Sequence, residues 1–429
     1  MKKPILINRD FALLFFGRLV SDIGYHLYTF AIGWYILSLT NSASQAGYYM
    51  AFSGIVFVLL TPLAGVLADR LNRIKIIYVT DYVRGGTILI AGLFILLKPT
   101  FSFMGLTIDM NQILPQLVVL YLTAFIFSIN EALFIPAVTA SIPYIVEDAD
   151  LQKANSLNAG LRAFVSIVGA LSGGVLYGLL GIGFIFILTS ISYILSAASE
   201  MFIKTSSHEK NANKLNFTLA IKEFTEGFSF ILKTKGMFMF VFVVLSVNMF
   251  AAPLFGVAQP YFFNQIVQSE PIYYSFVGLA FSIGSILMAL YLSSKPSQSK
   301  VHKPLLRGLF GFTLGVVFLG VIVYLFINLW IDFLTMYILL MLVSVVIGLI
   351  ITSVNTPINV ALQRYVPKDK LGRVNSIVGL MTQGIIPFST ALAGILIESF
   401  TLPSFYFFVA AGMGLTTLLA TQSKSLKAF

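Results

Sequence analysis

The feature that most constrains this chain is one length, repeated. Runs of about twenty apolar residues follow one another from end to end, separated by short polar stretches. A hydrocarbon layer about 30 Å thick takes roughly 20 apolar residues of helix to cross. The sequence supplies that length twelve times, at roughly 11–38, 47–68, 76–97, 115–140, 155–180, 183–203, 237–263, 273–293, 305–327, 331–358, 374–397 and 402–420. In lipid every backbone polar group must be satisfied internally, so a spanning segment is a helix or part of a closed barrel. These runs lack the alternation of barrel strands and predict helices. Composition agrees: 10% of the residues are charged, against about 25% in a soluble globular protein. The first run is long and flanked by Asp10 and Arg18, which argues against a cleavable signal peptide. The chain has no cysteine, so disulfides and thiolate metal sites are excluded.

The net charge of +10 is a topology signal. Of the 27 Lys and Arg, Arg18, Arg84 and Arg162 lie deep inside spans, Arg307 sits at the start of the ninth, and Lys98 lies just past the third. The rest fall at the termini, in alternate loops and in a long middle segment, whereas loops 40–46, 181–182, 264–272, 328–330 and 398–401 contain none. The positive-inside rule then predicts a multi-pass cell-membrane protein with both termini cytoplasmic. A nucleic-acid partner is not expected from this distribution.

Residues 204–236 break the pattern. KTSSHEKNANK is polar, and FTLAIKEFTEGFSFILK has apolar residues at helical spacing, which predicts a cytoplasmic linker with an amphipathic interfacial helix. On either side the chain echoes itself. IVEDADLQKANS at 145–156 and YVPKDKLGRVNS at 365–376 share Val, Leu, Asn and Ser in register, and MAFSG from Met50 matches LAFSI from Leu279. The expected organisation is therefore an N-terminal six-helix bundle (1–203), the linker (204–236) and a C-terminal six-helix bundle (237–429). Paired six-span repeats with a substrate site between them are a transporter design.

GVLADRLNRIKII, Gly65 to Ile77, resembles the loop between helices two and three of the major facilitator superfamily, G-x-L-A-D-R-x-G-R-R/K-x-x-I. Gly65, Leu67, Ala68, Asp69, Arg70, Arg73 and Ile77 match. Asn72 stands for the second Gly, and Ile74 for a basic residue that Lys75 supplies one place later. Asn tolerates a left-handed backbone better than other non-Gly residues, so a turn through Asn72 is expected. IPAVTASIPYIVEDADLQKANSL and Asp81-x-x-Arg84 are similar to the drug-exporter branch that includes macrolide and siderophore exporters. The resemblance implies a major facilitator fold of two pseudo-symmetric six-helix bundles. It also implies that Asp69 engages the N-terminus of the eleventh helix near Val374 and Asn375, where the helix dipole favours an anion. Arg70 and Arg73 would complete a latch between the halves, with Asp81 and Arg84 in the same motif group. Gly65 is expected to bring the second span close to a neighbour. The plainer reading of these cations is a positive-inside anchor.

Ionisable side chains inside spans are costly and mark functional candidates. The first span carries Arg18, Asp22 and His26 at i, i+4 and i+8, on one helical face. The fourth carries Asn130 and Glu131, the fifth Arg162. At about 1.5 Å per residue, Asp22 lies roughly 17 Å along its helix and Glu131 roughly 15 Å from the inner end of its own. A carboxyl in such a place can bind and release protons as access alternates. Glu131 is the first candidate proton carrier and Asp22 the second, with His26 able to join the relay. Static pairs, Glu131 with Arg162 or Asp22 with Arg18, are the alternative. The second half has no acidic residue deep in a span; its polar set, Asn248, Gln259, Asn355, Asn359 and Gln383, with Asn130 from the first half, supplies candidates for substrate contact. Gly160, Gly169, Gly173 and Gly178 resemble the glycine motif of antiporters, with Gly174 where a Pro belongs and Tyr177 replacing a Gly.

The expected function is proton-coupled export of an amphipathic small molecule by alternating access. A siderophore exporter, a lipid or lysophospholipid transporter of the same fold, and an uncoupled facilitator are the alternatives. The expected partners are a small-molecule substrate, protons and the lipid bilayer, for a monomeric chain using the proton gradient without a cofactor. An enzyme is not expected: three scattered His, no clustered metal ligands and no nucleophile motif leave no chemistry to build one. No phosphate-binding Walker loop is present, so ATP is not the expected driver.

Overall fold

A computed structural model of the 429-residue chain describes residues 8–103, 106–204, 225–226, 228–234, 236–294 and 302–426. Most of the predicted linker, 205–224, lies outside the described residues. The first half comprises α1 (Arg9–Thr40), α2 (Ala43–Arg70), α3 (Arg73–Leu97) and α4 (Ile113–Ile145). A long helical stretch, Leu151–Glu200, is interrupted at Gly181, giving α5 (151–180) and α6 (182–200). Gly181 has φ 72°, a left-handed conformation that glycine adopts at no steric cost, and the chain reverses there without a polar loop. The second half comprises α7 (Met237–Ile266), α8 (Pro271–Ser293), α9 (His302–Ile327), α10 (Phe333–Tyr365), α11 (Lys368–Ser399) and α12 (Leu402–Gln422).

These are the twelve membrane-length helices the sequence predicts. Ten segments are long and apolar enough to cross a membrane by length and composition alone. α1 falls outside those ten, with Arg18, Asp22 and His26 among the residues that lower its hydropathy, and one of the ten, Leu171–Glu200, takes in the end of α5 and all of α6. The sequence gives no warning of a short antiparallel hairpin between α3 and α4, β1 (Thr100–Phe103) paired with β2 (Leu106–Asp109).

The chain divides into two compact units. The first is Met1–Asn41, Phe52–Asn213 and Ser269–Ser275; the second is Ser42–Ala51, Lys214–Gln268 and Phe276–Phe429. In the first, α6 is a seam packed by α1 and α3. A β-carbon on Gly17 of α1 would stand 2.7 Å from Ser199 Oγ, and one on Gly85 of α3 would stand 3.0 Å from Ile194. Lipid tails are as apolar as the helices, so such close van der Waals contact is what holds spans together. α1 meets α5 in the same way: Gly169 receives His26, and Gly173 receives Phe30 at 2.7 Å from an added β-carbon. Gly160 and Gly178 face open space, so only the middle of the antiporter-like motif packs. Gly65 also has nothing within 4 Å, which corrects the expectation that it draws α2 against a neighbour.

At one end of this unit a core of Phe11, Leu14, Ala68, Ile74, Ile77, Phe134 and Ile142 holds the α2–α3 turn against α1 and α4. Asn72 does not adopt the expected left-handed turn. It is extended (φ −63°, ψ 110°) and caps α3, its side chain accepting from Lys75 N at 3.1 Å. A Gly there would leave that amide without its side-chain cap.

In the second unit α9 packs on α10 and α12, and α7 on α11. α7 widens into π-helical turns at Leu254–Ala258 and Phe262–Ile266, around Gln259–Tyr261. Pro253 and Pro260 lack the N–H that a regular ladder needs, which is a recognised cause of such widening. The short segment from α2 in this unit lies on α11: Glu398 accepts from Ser42 Oγ at 2.6 Å and Ser44 N at 3.0 Å, and a β-carbon on Gly394 would stand 2.6 Å from Ala43 O.

Candidate functional site

The charged side chains of the first unit gather on α1, α3, α4 and α6. Asp81 and Arg84, three residues apart on α3, share a face, and both are buried. The Arg84 guanidinium donates through Nη2 to Asp81 Oδ1 and through Nη1 to Glu131 Oε2 on α4. It is thus a fork between two carboxylates. Asp81 is fully buried, while the Glu131 side chain keeps 21% of its exposure.

Aromatic rings complete the surroundings. The Arg84 guanidinium carbon lies 4.2 Å from the Phe134 ring centroid, 4.7 Å from Tyr193 and 5.6 Å from Phe127. A desolvated cation over ring faces gains on the order of 2 kcal/mol. The rings also wall off water, and Arg84 Nε is buried without a hydrogen-bond partner. Phe127 is in turn stacked by Tyr28 at 5.0 Å and Tyr25 at 6.0 Å from α1.

On α1, Arg18 and Asp22 pair at 3.2 Å, and Arg18 Nη1 also reaches Asn158 Oδ1 on α5 at 3.3 Å. His26 lies one turn further, against Gly169, its ring edge-on to Tyr25 at 5.7 Å. On α6, Glu200 is fully buried and accepts from Ser196 Oγ at 3.3 Å. Ser196 also lies against Asp81. Sequence reading passed over Glu200, which sits at the end of the sixth apolar run.

Several expected positions differ. The cation on Glu131 is Arg84; Arg162 is exposed on α5, so the alternative pairing of Glu131 with Arg162 is corrected. Arg84 and Asp81, grouped by motif with the latch, stand instead in the buried cluster. Arg73 works inside the first unit: Nε donates to Ala68 O at 3.2 Å, Nη1 to Ala140 O at 3.3 Å, and the guanidinium lies 4.6 Å over the Tyr144 ring. Arg70 is exposed at the end of α2. The side chains of Asp69 and Asn359 lie outside the described residues. Asn130 and Asn248 turn their amides back on their own helices, to Ile126 O at 2.7 Å and Val244 O at 2.9 Å. Gln259 is buried between the two π-helical turns, and Asn355 is exposed.

Among the described residues, no group of three His, Cys, Asp or Glu is placed to hold a metal ion. What the cluster offers is proton chemistry: carboxyl groups in a dry site around one shared guanidinium.

Comparison with known proteins fits this architecture. The Major Facilitator Superfamily model matches residues 14–388. The chain is 28% identical over 260 residues to the uncharacterised MFS-type transporter YkuC of Bacillus subtilis (strain 168), covering 56% of this chain and 55% of that protein. It is 23% identical over 289 residues to macrolide efflux protein A of Streptococcus pyogenes (66% of this chain, 65% of that protein). It is 26% identical over 166 residues to the enterobactin exporter EntS of Citrobacter koseri (39% and 36%). The matched stretches thus span roughly a third to two thirds of these curated relatives. Among solved structures, a mutant of the nucleoside transporter NupG superposes with a TM-score of 0.72 at 13% identity, over 97% of this chain and 100% of that one. A bacterial homologue of the iron transporter ferroportin gives 0.72 at 14% identity, over 98% and 99%. Twelve helices, a family match over most of the length and fold neighbours of the same kind converge: the chain belongs to the Major Facilitator Superfamily.

Proposed function

We propose that this transporter exports amphipathic small molecules in exchange for protons, with Glu131 as the proton carrier and Arg84 as the cation that distributes itself between Glu131 and Asp81. One observation carries the reading: a single buried guanidinium serves two carboxylates, of which only Glu131 retains an exposed edge.

The mechanism follows from charge balance. Asp81, Glu131 and Glu200 bring three carboxyls to one Arg84, while Arg18 and Asp22 satisfy each other. Fully ionised, the group would keep uncompensated negative charge away from water, at a cost of several kcal/mol per ion. Holding a proton on one carboxyl at pH 7 costs only about 4 kcal/mol, roughly three units at 1.36 kcal/mol each. The cluster is therefore built to exchange protons. When Glu131 takes one up, its charge-assisted bond to Arg84 weakens and the guanidinium turns to Asp81. When Glu131 loses it, Arg84 is drawn back. Coupling needs only that substrate and proton favour different states of this fork.

Export rather than import is supported by relatives named for macrolide efflux and enterobactin export. The enterobactin relative also supports a second reading, in which the cargo is a siderophore. The charge distribution supports a cell-membrane protein with both termini in the cytoplasm. A susceptibility panel of amphipathic drugs, on cells with and without the protein, tests the reading. Proton-coupled export predicts resistance that a protonophore abolishes. Resistance unchanged by the protonophore, or none to any compound, contradicts it.

A further inference from the structure

Glu200 has no place in the family motifs above, yet its surroundings are the most demanding for a carboxyl in the described chain. It closes α6, where a side chain would ordinarily reach water, and it is fully buried. Its Oε1 accepts from Ser196 Oγ at 3.3 Å, a length typical of a weak bond. Its Oε2 is buried and has no hydrogen-bond partner. Asp81 matches it: fully buried, Oδ1 on Arg84, Oδ2 without a partner. Ser196 lies against both acids. The groups that face Glu200 are Asp81 and Arg84 from α3 and Arg18 from α1. Both guanidiniums are already engaged by other carboxylates, Arg84 by Asp81 and Glu131, Arg18 by Asp22.

The packing fixes this arrangement. A β-carbon on Gly17 would stand 3.3 Å from Glu200 Cγ, so α1 presses on the acid's stem and leaves it no route outward on that side. Ser199 Oγ, one residue earlier, donates to Leu13 O at 3.4 Å and ties the same turn to α1. Two orphaned carboxyl oxygens, each sealed from water, on two acids that share Ser196, call for a donor. Arg84 Nε and Arg18 Nε also lack partners, yet neither forms a hydrogen bond to these two oxygens. A proton placed between the acids gives one O–H donor and one acceptor, and removes one negative charge.

We propose that Asp81 and Glu200 hold one proton between them, so that the transporter has a second proton site on α6, coupled to Glu131 through Arg84. The coupling is electrostatic. When Glu131 is ionised it draws Arg84 away from Asp81, and the pair keeps its proton. When Glu131 is neutral Arg84 serves Asp81 alone, and the pair yields its proton more readily. No bond between heavy atoms forms or breaks: one proton passes between carboxyl oxygens and solvent, with Ser196 as the intervening hydroxyl. The inference rests on the proton-coupled reading for its role in transport, but the bound proton itself can be measured without transport.

The experiment is infrared spectroscopy of the purified full-length protein in lipid, in the carboxylic-acid C=O stretching region. Wild type at neutral pH should show a protonated carboxyl band, which E200Q should lose. The band should also be weaker in E131Q at the same pH, because Arg84 then serves Asp81 alone. E200D, which keeps the acid on a shorter stem, should keep a band at a shifted frequency. A wild-type spectrum without the band, or E200Q retaining it in full, would overturn the assignment. A band unchanged in E131Q would overturn the coupling. If E200Q does not fold, E200D and E131Q still decide. The proton-coupled reading fails separately: E131Q exporting normally against a gradient would refute it, while the infrared bands would still report whether Glu200 holds a proton.

Discussion

The buried fork makes a quantitative prediction for Arg84→Met. Methionine fills much of the same volume and keeps an apolar stem among Phe134, Tyr193 and Phe127. It removes two charge-assisted bonds at once, to Asp81 and to Glu131. Breaking a buried pair by removing one partner costs about 3–5 kcal/mol. The orphaned acids can escape part of this by taking up protons, which for each costs about 1.4 kcal/mol per pH unit between its ordinary pKa and the working pH. The loss of stability should therefore be largest at neutral pH, about 4 kcal/mol or more, and should shrink by at least about 1.4 kcal/mol for each unit the pH is lowered toward 5. The sign follows from the acids, which are neutral in the folded variant but ionised when unfolded above their ordinary pKa, so acid favours the folded state. Adding Asp81→Asn should recover much of the loss at pH 7 and flatten the pH dependence. Thermal unfolding of detergent-purified protein, across pH 5 to 8, reads all three quantities. An Arg84→Met variant as stable as wild type, or one whose deficit is the same at pH 5 and pH 8, would refute the argument that Arg84 neutralises these carboxyls.

Packing and topology give further expectations. Gly173→Ala should cost about 1–3 kcal/mol by driving a β-carbon into Phe30, whereas Gly178→Ala, with open space, should be neutral or slightly stabilising in the same unfolding assay. Arg73→Lys cannot reproduce the fork to Ala68 O and Ala140 O or the stacking on Tyr144, and should destabilise by about 1–2 kcal/mol, nearly as much as Arg73→Ala. The charge distribution predicts that Asn111→Cys, beside the α3–α4 hairpin, reacts from outside intact cells with an impermeant thiol reagent and that Lys153→Cys does not. No native cysteine interferes with that assay.

Much of the architecture was legible because bilayer thickness imposes one length on every span. All twelve helices lie where apolar runs predict them, with ends extended by a few residues, as at the C-terminal end of α4, which continues to Ile145. The hairpin was not legible: Phe101 and Ile108 are too few to show a period. The charged positions were read correctly as unusual, but their pairing was not. Sequence places Glu131 and Arg162 on neighbouring spans, yet only packing decides which guanidinium arrives, and α3 brings Arg84. Asn72 was read through the glycine it replaces, when its own side chain makes the cap. Glu200 was missed because it falls at a span end, where a carboxylate is ordinarily solvated. Its uncharged flanks, the small residues SAAS before and the apolar MFI after, were the available sign that it stays inside.

The central claim is that a proton on Glu131 drives export. Its most direct test uses inside-out vesicles with an acidic lumen and a labelled macrolide as probe. Wild-type protein should accumulate the drug in the lumen and dissipate the pH gradient as it does so. Glu131→Gln, at equal amounts of folded protein, should still exchange drug across the membrane down its concentration gradient while losing both accumulation and drug-linked proton flux. Accumulation by Glu131→Gln at the wild-type level, with the same proton flux, would contradict the account.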